Sequence, residues 1–177
     1  MSETTVSPIL ATLALLALAG AIVVTLSLTS SGASNLHSLI QRRGLWLAFG
    51  VAATAMAGSL YYSEVAGFLP CEFCWYQRIA MYPLAFILLI AAITDDHRIG
   101  RYVILIALIG LALSTYHYQL QFFPEQASSC TFGIPCHYQW VNQFGFVSIP
   151  FMASSAFLAI LALHLTIWRA DRTTCKT

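Results

Sequence analysis

The chain has 177 residues, of which 59% are apolar and only 8% are charged, and its formal net charge is +1 at pH 7. Soluble domains carry about 25% charged residues, so this chain cannot cover a water-facing surface. The small net charge gives no cationic field for phosphates, which excludes a nucleic-acid binder. With a mean hydropathy of +0.76, we predict an integral membrane protein.

Five apolar stretches are long enough to cross a membrane. A spanning helix needs about 20 mostly apolar residues to cross about 30 Å of hydrocarbon. The alternation of apolar and polar residues that is typical of the strands of a membrane barrel is missing from these stretches. The predicted spans are residues 9–28, 45–62, 75–93, 102–118 and 147–168. Gly50, Ala57 and Gly58 in the second span are small enough for close helix contact. The fold class is therefore all-α and polytopic.

The positive charges give the predicted orientation. Three segments, each separated from the next by two helices, contain seven of the eight Lys and Arg residues: Arg42, Arg43, Arg98, Arg101, Arg169, Arg172 and Lys176. By the positive-inside rule this side is cytoplasmic. The loops at residues 63–74 and 119–146 then face outward, and the C-terminus is cytoplasmic.

The first apolar stretch has two interpretations. A basic segment is missing before it, which favours a retained helix with its N-terminus outside over a cleaved signal peptide. The small residues at 30–34 are nevertheless ones that a peptidase could accept. We interpret residues 29–38 as a polar linker. The predicted organisation is an N-terminal anchor helix with its linker at 1–44, a four-helix membrane domain at 45–168 and a tail at 169–177.

The five cysteines divide between the two sides of this topology. Cys71 and Cys74 lie in the first outer loop, Cys130 and Cys136 lie in the second, and Cys175 lies in the cytoplasmic tail. The outer face of a bacterial membrane is oxidising and the cytosol is reducing. The partition therefore fits two redox-active pairs outside and one reduced thiol inside, and it was not used to assign the orientation.

The segment Cys-Glu-Phe-Cys at 71–74 is a C-x-x-C motif at the expected start of a helix, directly after Pro70. Free N–H groups and the positive end of the helix dipole stabilise a thiolate there, and the thiolate is the nucleophilic form of cysteine. Cys71, Cys74 and Arg78 are spaced i, i+3, i+7 and share one helix face. The Arg78 cation could hold the thiolate, or a negative charge on a bound electron acceptor.

The second pair is separated by five residues that include Gly133 and Pro135, which favour a turn. A disulfide that closes so short a loop gains about 3 kcal/mol or less of loop entropy. We therefore interpret a Cys130–Cys136 bond as exchangeable. The alternatives are a zinc site, a static disulfide, and an Arg78 that only extends to the membrane interface. Because an arginine beside the sulfurs opposes a metal cation, we predict redox turnover and no metal.

The segment Cys-Glu-Phe-Cys-Trp-Tyr-Gln-Arg at 71–78 resembles the disulfide bond formation protein B (DsbB) family, in its small BdbC-like branch. Residues 130–136 and the segment Phe-Val-Ser-Ile-Pro-Phe at 146–151 are similar to that branch, and the resemblance covers about residues 45–168. It implies a four-helix bundle, with one extra N-terminal helix here, in the bacterial cytoplasmic membrane. It also implies oxidation of a soluble or membrane-tethered thioredoxin-fold thiol oxidase of the DsbA or BdbD kind, with electrons passed to ubiquinone or menaquinone.

The resemblance also implies residue roles. Cys71 and Cys74 resemble the quinone-side pair, and Cys130 and Cys136 resemble the pair that faces the partner. The residues implied or considered at the quinone are Arg78, Gln77, where some members have Glu, and His117, near the outer end of the fourth helix.

Two other classes fit part of the pattern: a vitamin K epoxide reductase-like quinone reductase, and a non-enzymatic membrane scaffold with disulfide staples. The first usually has its C-x-x-C toward the end of the last helix. The second would form no mixed disulfide with a soluble partner.

Overall fold

The computed structural model describes residues 3–28, 34–130 and 134–174. Five α-helices lie in these ranges: α1 (Glu3–Ser27), α2 (Ser34–Leu60), α3 (Glu72–Thr94), α4 (Gly100–Phe122) and α5 (Ile149–Thr174). A π-helical turn, Tyr61–Val65, continues α2, and short 3₁₀ turns occur at His97–Ile99 and Pro124–Ser129. All five helices are long and apolar enough to span a membrane. The predicted all-α polytopic architecture is confirmed.

Every helix is longer than the apolar run that predicted it, and the largest difference is at α2. This helix begins at Ser34, so residues 34–38 of the predicted linker are helical. The predicted linker was wrong at these positions because the prediction followed hydropathy. Polar residues can also be helical, since the hydrogen bonds of a helix are made by the backbone. Ser27 Oγ lies 3.3 Å from His37 Nε2, which joins the end of α1 to the first turns of α2.

The core of the bundle forms around α5, which packs against α1, α2 and α4. Phe157 and Ile160 of α5 are fully buried, together with Leu84 and Leu88 of α3 and Val103 of α4. The helices α2 and α3 pack against each other, as do α3 and α4. The extra N-terminal helix therefore lies along the bundle and contributes to its core.

Small residues produce close contacts at particular positions. A Cβ at Gly58 would lie 3.1 Å from Leu10 of α1, and Gly110 of α4 leaves the space that the Phe157 ring fills. The prediction of close helix contact is right for Gly58 and wrong for its two companions. Nothing lies within 4 Å of a Cβ at Gly50, and Ala57 is exposed. Gly50 instead borders a large cavity.

The two kinds of predicted loop lie at opposite ends of the bundle. Gly44, near the start of α2, packs against Ile167, near the end of α5. His97 in the α3–α4 connection lines one cavity with His164 of α5. The described basic segments thus share one end, and the cysteine-bearing loops meet at the other. Cys175 and Lys176 lie outside the described residues, as does the side chain of Arg172.

Candidate active site

The C-x-x-C motif forms the first turn of α3. Cys71 is the N-cap residue, with an extended backbone (φ −75°, ψ 174°), and its sulfur accepts a hydrogen bond from the Cys74 backbone N–H at 3.4 Å. The sulfur therefore takes the place of the side-chain oxygen that usually caps a helix. The two Sγ atoms lie 2.9 Å apart, and both cysteines are free thiols. The local geometry holds both sulfurs at the positive end of the helix dipole.

Cys71 lies just before the membrane-spanning segment and is only 6% exposed. The pKa of its thiol is lowered from 9.0 to about 4, chiefly because the Cys74 thiol donates a hydrogen bond to it. His117, whose Nε2 lies 3.4 Å from Cys71 Sγ, lowers the pKa further by its hydrogen bond. Burial acts in the opposite direction and is outweighed. Cys71 is consequently the thiolate of the reduced pair.

His117 of α4 connects the first cysteine pair to the second loop. It is 2% exposed, and its Nε2 lies 3.1 Å from the backbone oxygen of Cys136 as well as facing Cys71. Its Nδ1 lies 2.8 Å from the Gln77 side-chain nitrogen. Because that amide nitrogen donates to Nδ1, the neutral ring carries its proton on Nε2. This proton faces the Cys71 sulfur and the Cys136 carbonyl.

The second cysteine pair packs beside the first. Cys130 and Cys136 form a disulfide with Cα atoms 6.1 Å apart. Cys136 is fully buried in one apolar cluster with Cys71, while Cys130 and Cys74 pack against this cluster and are partly exposed. Of the predicted turn between the sulfurs, Gly133 lies outside the described residues, and Pro135 accepts a backbone hydrogen bond from Tyr138 at 3.0 Å. The structure thus brings the four predicted cysteines together.

Trp140 joins the second loop to the first. Its indole Nε1 donates a hydrogen bond to the Leu69 backbone oxygen at 3.2 Å, and its ring stacks on Phe68 with centroids 4.8 Å apart. Phe68 in turn stacks on Tyr62 at 5.6 Å. The loop residues that carry the two cysteine pairs are therefore held to each other and to the end of α2.

A cavity of about 570 Å³ opens beside α3. Polar groups on its wall include Cys74, Gln77 and Arg78, while most of the remaining wall is apolar. A smaller space between the loops is bordered by both Cys71 and Cys74, together with His117 and residues of the second loop. Cys74 borders both spaces, whereas Cys71 borders only the one between the loops.

Arg78 is held in the cavity wall by α2. Its Nε donates to Ser59 Oγ at 2.9 Å and its Nη2 donates to the Ser59 backbone oxygen at 3.1 Å. The guanidinium also lies over the Trp75 ring, 5.1 Å from the centroid. The sequence offers Arg78 as a cation for a thiolate or for a charged electron acceptor. In the structure its side-chain hydrogen bonds go to Ser59, while His117 contacts Cys71. Sequence spacing gave no indication of Ser59.

The N-terminal helix forms part of the same cavity wall. The α1 residues along it include Leu10, Leu13 and Ala14, and Ser7 accepts a hydrogen bond from the Tyr62 hydroxyl at 3.3 Å. The sequence interpretation treated α1 as an anchor outside the functional domain. The small residue Gly58, which admits Leu10, was the signal in the sequence that a helix packs here.

Cys71, Cys74 and His117 also form a potential metal-binding group, with ligand atoms within 4.8 Å of one another. A structural zinc ion takes four protein ligands. Cys130 and Cys136 are joined in a disulfide and offer no thiolate. Within the described residues the group therefore falls one ligand short of a structural zinc site.

Membrane helices that hold a half-buried disulfide against a C-x-x-C dithiol define a class, the polytopic membrane thiol oxidoreductases. Residues 41–170 match the family model described as Disulfide bond formation protein DsbB, and the chain belongs to this family. The resemblance noted in the sequence is confirmed. The protein is accordingly a multi-pass bacterial membrane protein with an oxidoreductase role in disulfide formation.

Several curated proteins are similar to most of the chain. A probable disulfide formation protein of Oceanobacillus iheyensis is 51% identical over 121 residues, which cover 67% of this chain and 83% of the relative. Disulfide bond formation protein C of Bacillus subtilis is 48% identical over 119 residues, 66% of this chain and 86% of the relative. A probable disulfide formation protein C of Halalkalibacterium halodurans is 46% identical over 129 residues, 71% and 91% of the two chains. No solved structure matches the chain.

Proposed function

We propose that this protein is a protein-dithiol:quinone oxidoreductase that reoxidises a thioredoxin-fold thiol oxidase outside the cytoplasm. The observation that carries the proposal is the position of Cys74. It borders both the space between the cysteine-bearing loops and the large apolar cavity. A sulfur in this position can connect disulfide exchange on one side with a membrane-dissolved electron acceptor on the other.

The first step is exchange with the reduced partner at the second loop. Cys130 is partly exposed and Cys136 is fully buried, so a partner thiolate reaches Cys130 Sγ. A partner–Cys130 bond forms, the Cys130–Cys136 bond breaks, and Cys136 Sγ leaves as a thiolate. Exposed aromatic side chains around this loop offer an apolar docking surface: Phe122, Phe123, Tyr138, Phe144 and Phe146.

The second step passes the disulfide between the two loops. Cys136 thiolate attacks Cys71 of an oxidised Cys71–Cys74 pair, and Cys74 leaves as a thiolate facing the cavity. The partner's second thiol then releases Cys130, which attacks Cys136 and restores the Cys130–Cys136 disulfide. Cys71 leaves as a thiolate, the form that His117 and Cys74 stabilise. The combination in the structure, a Cys130–Cys136 disulfide beside two free thiols, corresponds to this point of the cycle.

The third step reoxidises the first pair. The cavity is within the range of about 300–1,000 Å³ for small-molecule sites, and its apolar wall with a few polar groups suits an isoprenoid quinone. Reduction of a bound ubiquinone or menaquinone to quinol would use the two electrons of the dithiol, one proton from the Cys74 thiol and one proton from water. Arg78 would donate hydrogen bonds to the oxygen on which negative charge develops, with Gln77 beside it. Cys71 and Cys74 form their disulfide as the two electrons leave.

This proposal is tested with purified protein, a reduced thioredoxin-fold partner and quinone. Cys74→Ser should abolish quinone reduction, because the sulfur beside the cavity is lost, while Cys130 still forms a mixed disulfide with a partner that lacks its second thiol. Cys175→Ser is the matched control and should leave both readouts unchanged. Normal quinol production by Cys74→Ser would remove Cys74 from the relay, and absence of any mixed disulfide in wild type would favour the scaffold.

A further inference from the structure

A second cavity lies at the end of the bundle opposite the cysteines. It has a volume of about 180 Å³ and lies between the α3–α4 connection and the end of α5. Its polar wall consists of His97, Arg98, Arg101 and His164, beside the backbone of Gly100, and none of the side chains that the structure describes along it is a carboxylate. Among these described side chains, the two guanidinium charges of the wall are not balanced by an acidic group.

His164 supplies an unpartnered polar atom inside this cavity. The residue is only 2% exposed, and its Nδ1 bonds to the Ile160 backbone oxygen at 3.1 Å. Its Nε2 is buried and has no hydrogen-bond partner in the part of the chain that the structure describes. Buried polar atoms nearly always have a partner. The unpaired nitrogen in this wall therefore needs a hydrogen-bond partner inside the cavity, which water or the polar group of a ligand can supply.

The other histidine repeats this pattern. His97 Nε2 lies 3.4 Å from Asp95 Oδ1, while its Nδ1 is buried and unpaired among the described residues. His164 Nδ1 and His97 Nε2 each face an oxygen and carry the proton of the neutral ring, so the other nitrogen of each ring accepts a hydrogen bond. The two histidines can thus bind hydroxyl groups.

The two arginines of the wall, Arg98 and Arg101, favour a negatively charged ligand. Neither Arg98 nor Arg101 has a side-chain hydrogen bond or ion pair among the described residues, and both are exposed at the cavity mouth. Of the nearby carboxylates, Asp95 faces His97, and Asp96 accepts from the Arg98 backbone N–H at 2.9 Å. These groups together favour a phosphate.

The depth of the cavity indicates the source of that phosphate. His164 lies five residues before Arg169 in α5, about 7.5 Å along the helix at 1.5 Å per residue. Ile167 and Trp168 add apolar wall on the same side. This is the boundary between hydrocarbon and water, where basic cavities between membrane helices bind anionic head groups.

We propose that this cavity binds the phosphoglycerol head group of an anionic phospholipid. The phosphate oxygens lie against Arg98 and Arg101, and the head-group hydroxyls reach the unpaired nitrogens of His97 and His164. The site is separate from the cysteines and does not depend on the redox function.

Thermal unfolding of the full chain in lipid nanodiscs tests this site. Wild type should melt several degrees higher in phosphatidylglycerol than in phosphatidylcholine, whose phosphate is balanced by an ammonium group and which has no free hydroxyl. The double variant R98Q/R101Q should lose this difference. The matched control R42Q/R43Q removes the same charge from the basic end of α2, outside the cavity wall, and should keep it. His164→Leu, which removes both ring nitrogens, should lower the difference by at least half.

The same measurements distinguish a lipid phosphate from free inorganic phosphate. If inorganic phosphate added to phosphatidylcholine discs gives the same increase in melting temperature, and R98Q/R101Q abolishes it, the ligand is free phosphate at the same residues. An equal loss in R42Q/R43Q would show diffuse surface attraction and overturn the proposal. It would also be overturned by a phosphatidylglycerol effect that survives in R98Q/R101Q, or by equal melting of wild type in the two lipids.

Discussion

Cys71 and Cys74 are three residues apart, yet one lies between the cysteine-bearing loops and the other also borders the large cavity. Cys71 caps the helix, contacts His117 and lies in the apolar cluster with Cys136. Cys74 lies one turn further along and borders the large cavity beside Arg78. In the proposed function the first sulfur exchanges with the second loop, and the other reacts with the membrane-dissolved quinone.

The low pKa of Cys71 predicts how the reduced pair titrates. Since the pKa is about 4, the thiolate should persist as the pH falls from 9.0 and should be protonated only as the pH passes through about 4. Thiolate absorbance in a variant with Cys130, Cys136 and Cys175 replaced by Ser measures this. Cys74→Ala and His117→Phe should each raise the pKa of Cys71, because both side chains lower it in the parent. A Cys71 that titrates near 9 in the parent would contradict this assignment.

Arg78 is expected to act on the quinone step alone. Arg78→Ala should raise the KM for quinone about tenfold or more, because a hydrogen bond from a charged group contributes about 1.5–3 kcal/mol and about 1.4 kcal/mol is a factor of ten. Arg78→Lys keeps the charge but loses the two-point attachment to Ser59, so it should give an intermediate KM. Steady-state quinone reduction measures both.

The control for Arg78 is the partner reaction. Mixed-disulfide formation at Cys130 should be unchanged in both Arg78 variants, because Arg78 has no contact with the second cysteine pair among the described residues. An equal loss in partner exchange and quinone reduction would instead indicate misfolding of the bundle.

At the scale of the helices, α1 and α2 together determine the shape of the large cavity. Gly50 of α2 borders it, and a Cβ at this position would have no described atom of another helix within 4 Å. Gly50→Leu should therefore place a side chain in the cavity without a clash at its Cβ, and it should raise the KM for quinone.

Gly20→Leu in α1 is the matched control for this substitution, because its Cβ also meets nothing within 4 Å and Gly20 does not border the cavity. Quinone kinetics and partner trapping should both stay at wild-type values in Gly20→Leu. Equal quinone KM values for Gly50→Leu and wild type would show that the cavity is not the quinone site.

The contact between α4 and α5 depends on one glycine. A methyl group at Gly110 would overlap the fully buried ring of Phe157. We expect Gly110→Ala to destabilise the bundle by about 1–3 kcal/mol, the usual cost of overfilling a packed core. Thermal melting in detergent measures the effect. Gly20→Ala is the control, and it should melt at or above the wild-type temperature, since Ala favours a helix over Gly by about 0.5–1 kcal/mol.

The sequence predicts features that depend on one continuous segment, and it does not predict contacts between segments that are far apart in the chain. Apolar runs predict the five helices because spanning length is a property of each segment. The contact of His117 with Cys71 and Gln77 joins α4 to α3 across 40 or more positions, so no spacing rule reveals it. Gly50 and Gly58 look alike in the sequence, yet one borders a cavity and the other admits Leu10. Only the packed bundle distinguishes them.

At the scale of the whole molecule, the bundle separates two kinds of chemistry. Four cysteines and His117 lie toward one end, the large cavity extends from there along α2, and the basic cavity around His164 lies at the other end. The helix α5 runs between them and packs against α1, α2 and α4. The positive-inside rule predicts that the basic end faces the cytoplasm, and on that orientation the proposed disulfide exchange takes place on the oxidising side of the membrane.

The central claim is that the sulfurs at 71 and 74 deliver an electron pair to a quinone. Its most direct test is an anaerobic titration of protein that carries Cys175→Ser, with the C-x-x-C pair reduced and the Cys130–Cys136 disulfide intact. Each equivalent of quinone reduced to quinol should remove two free thiols, and both should map to Cys71 and Cys74. Quinol formation that leaves those two thiols free to react with an alkylating reagent would contradict the account.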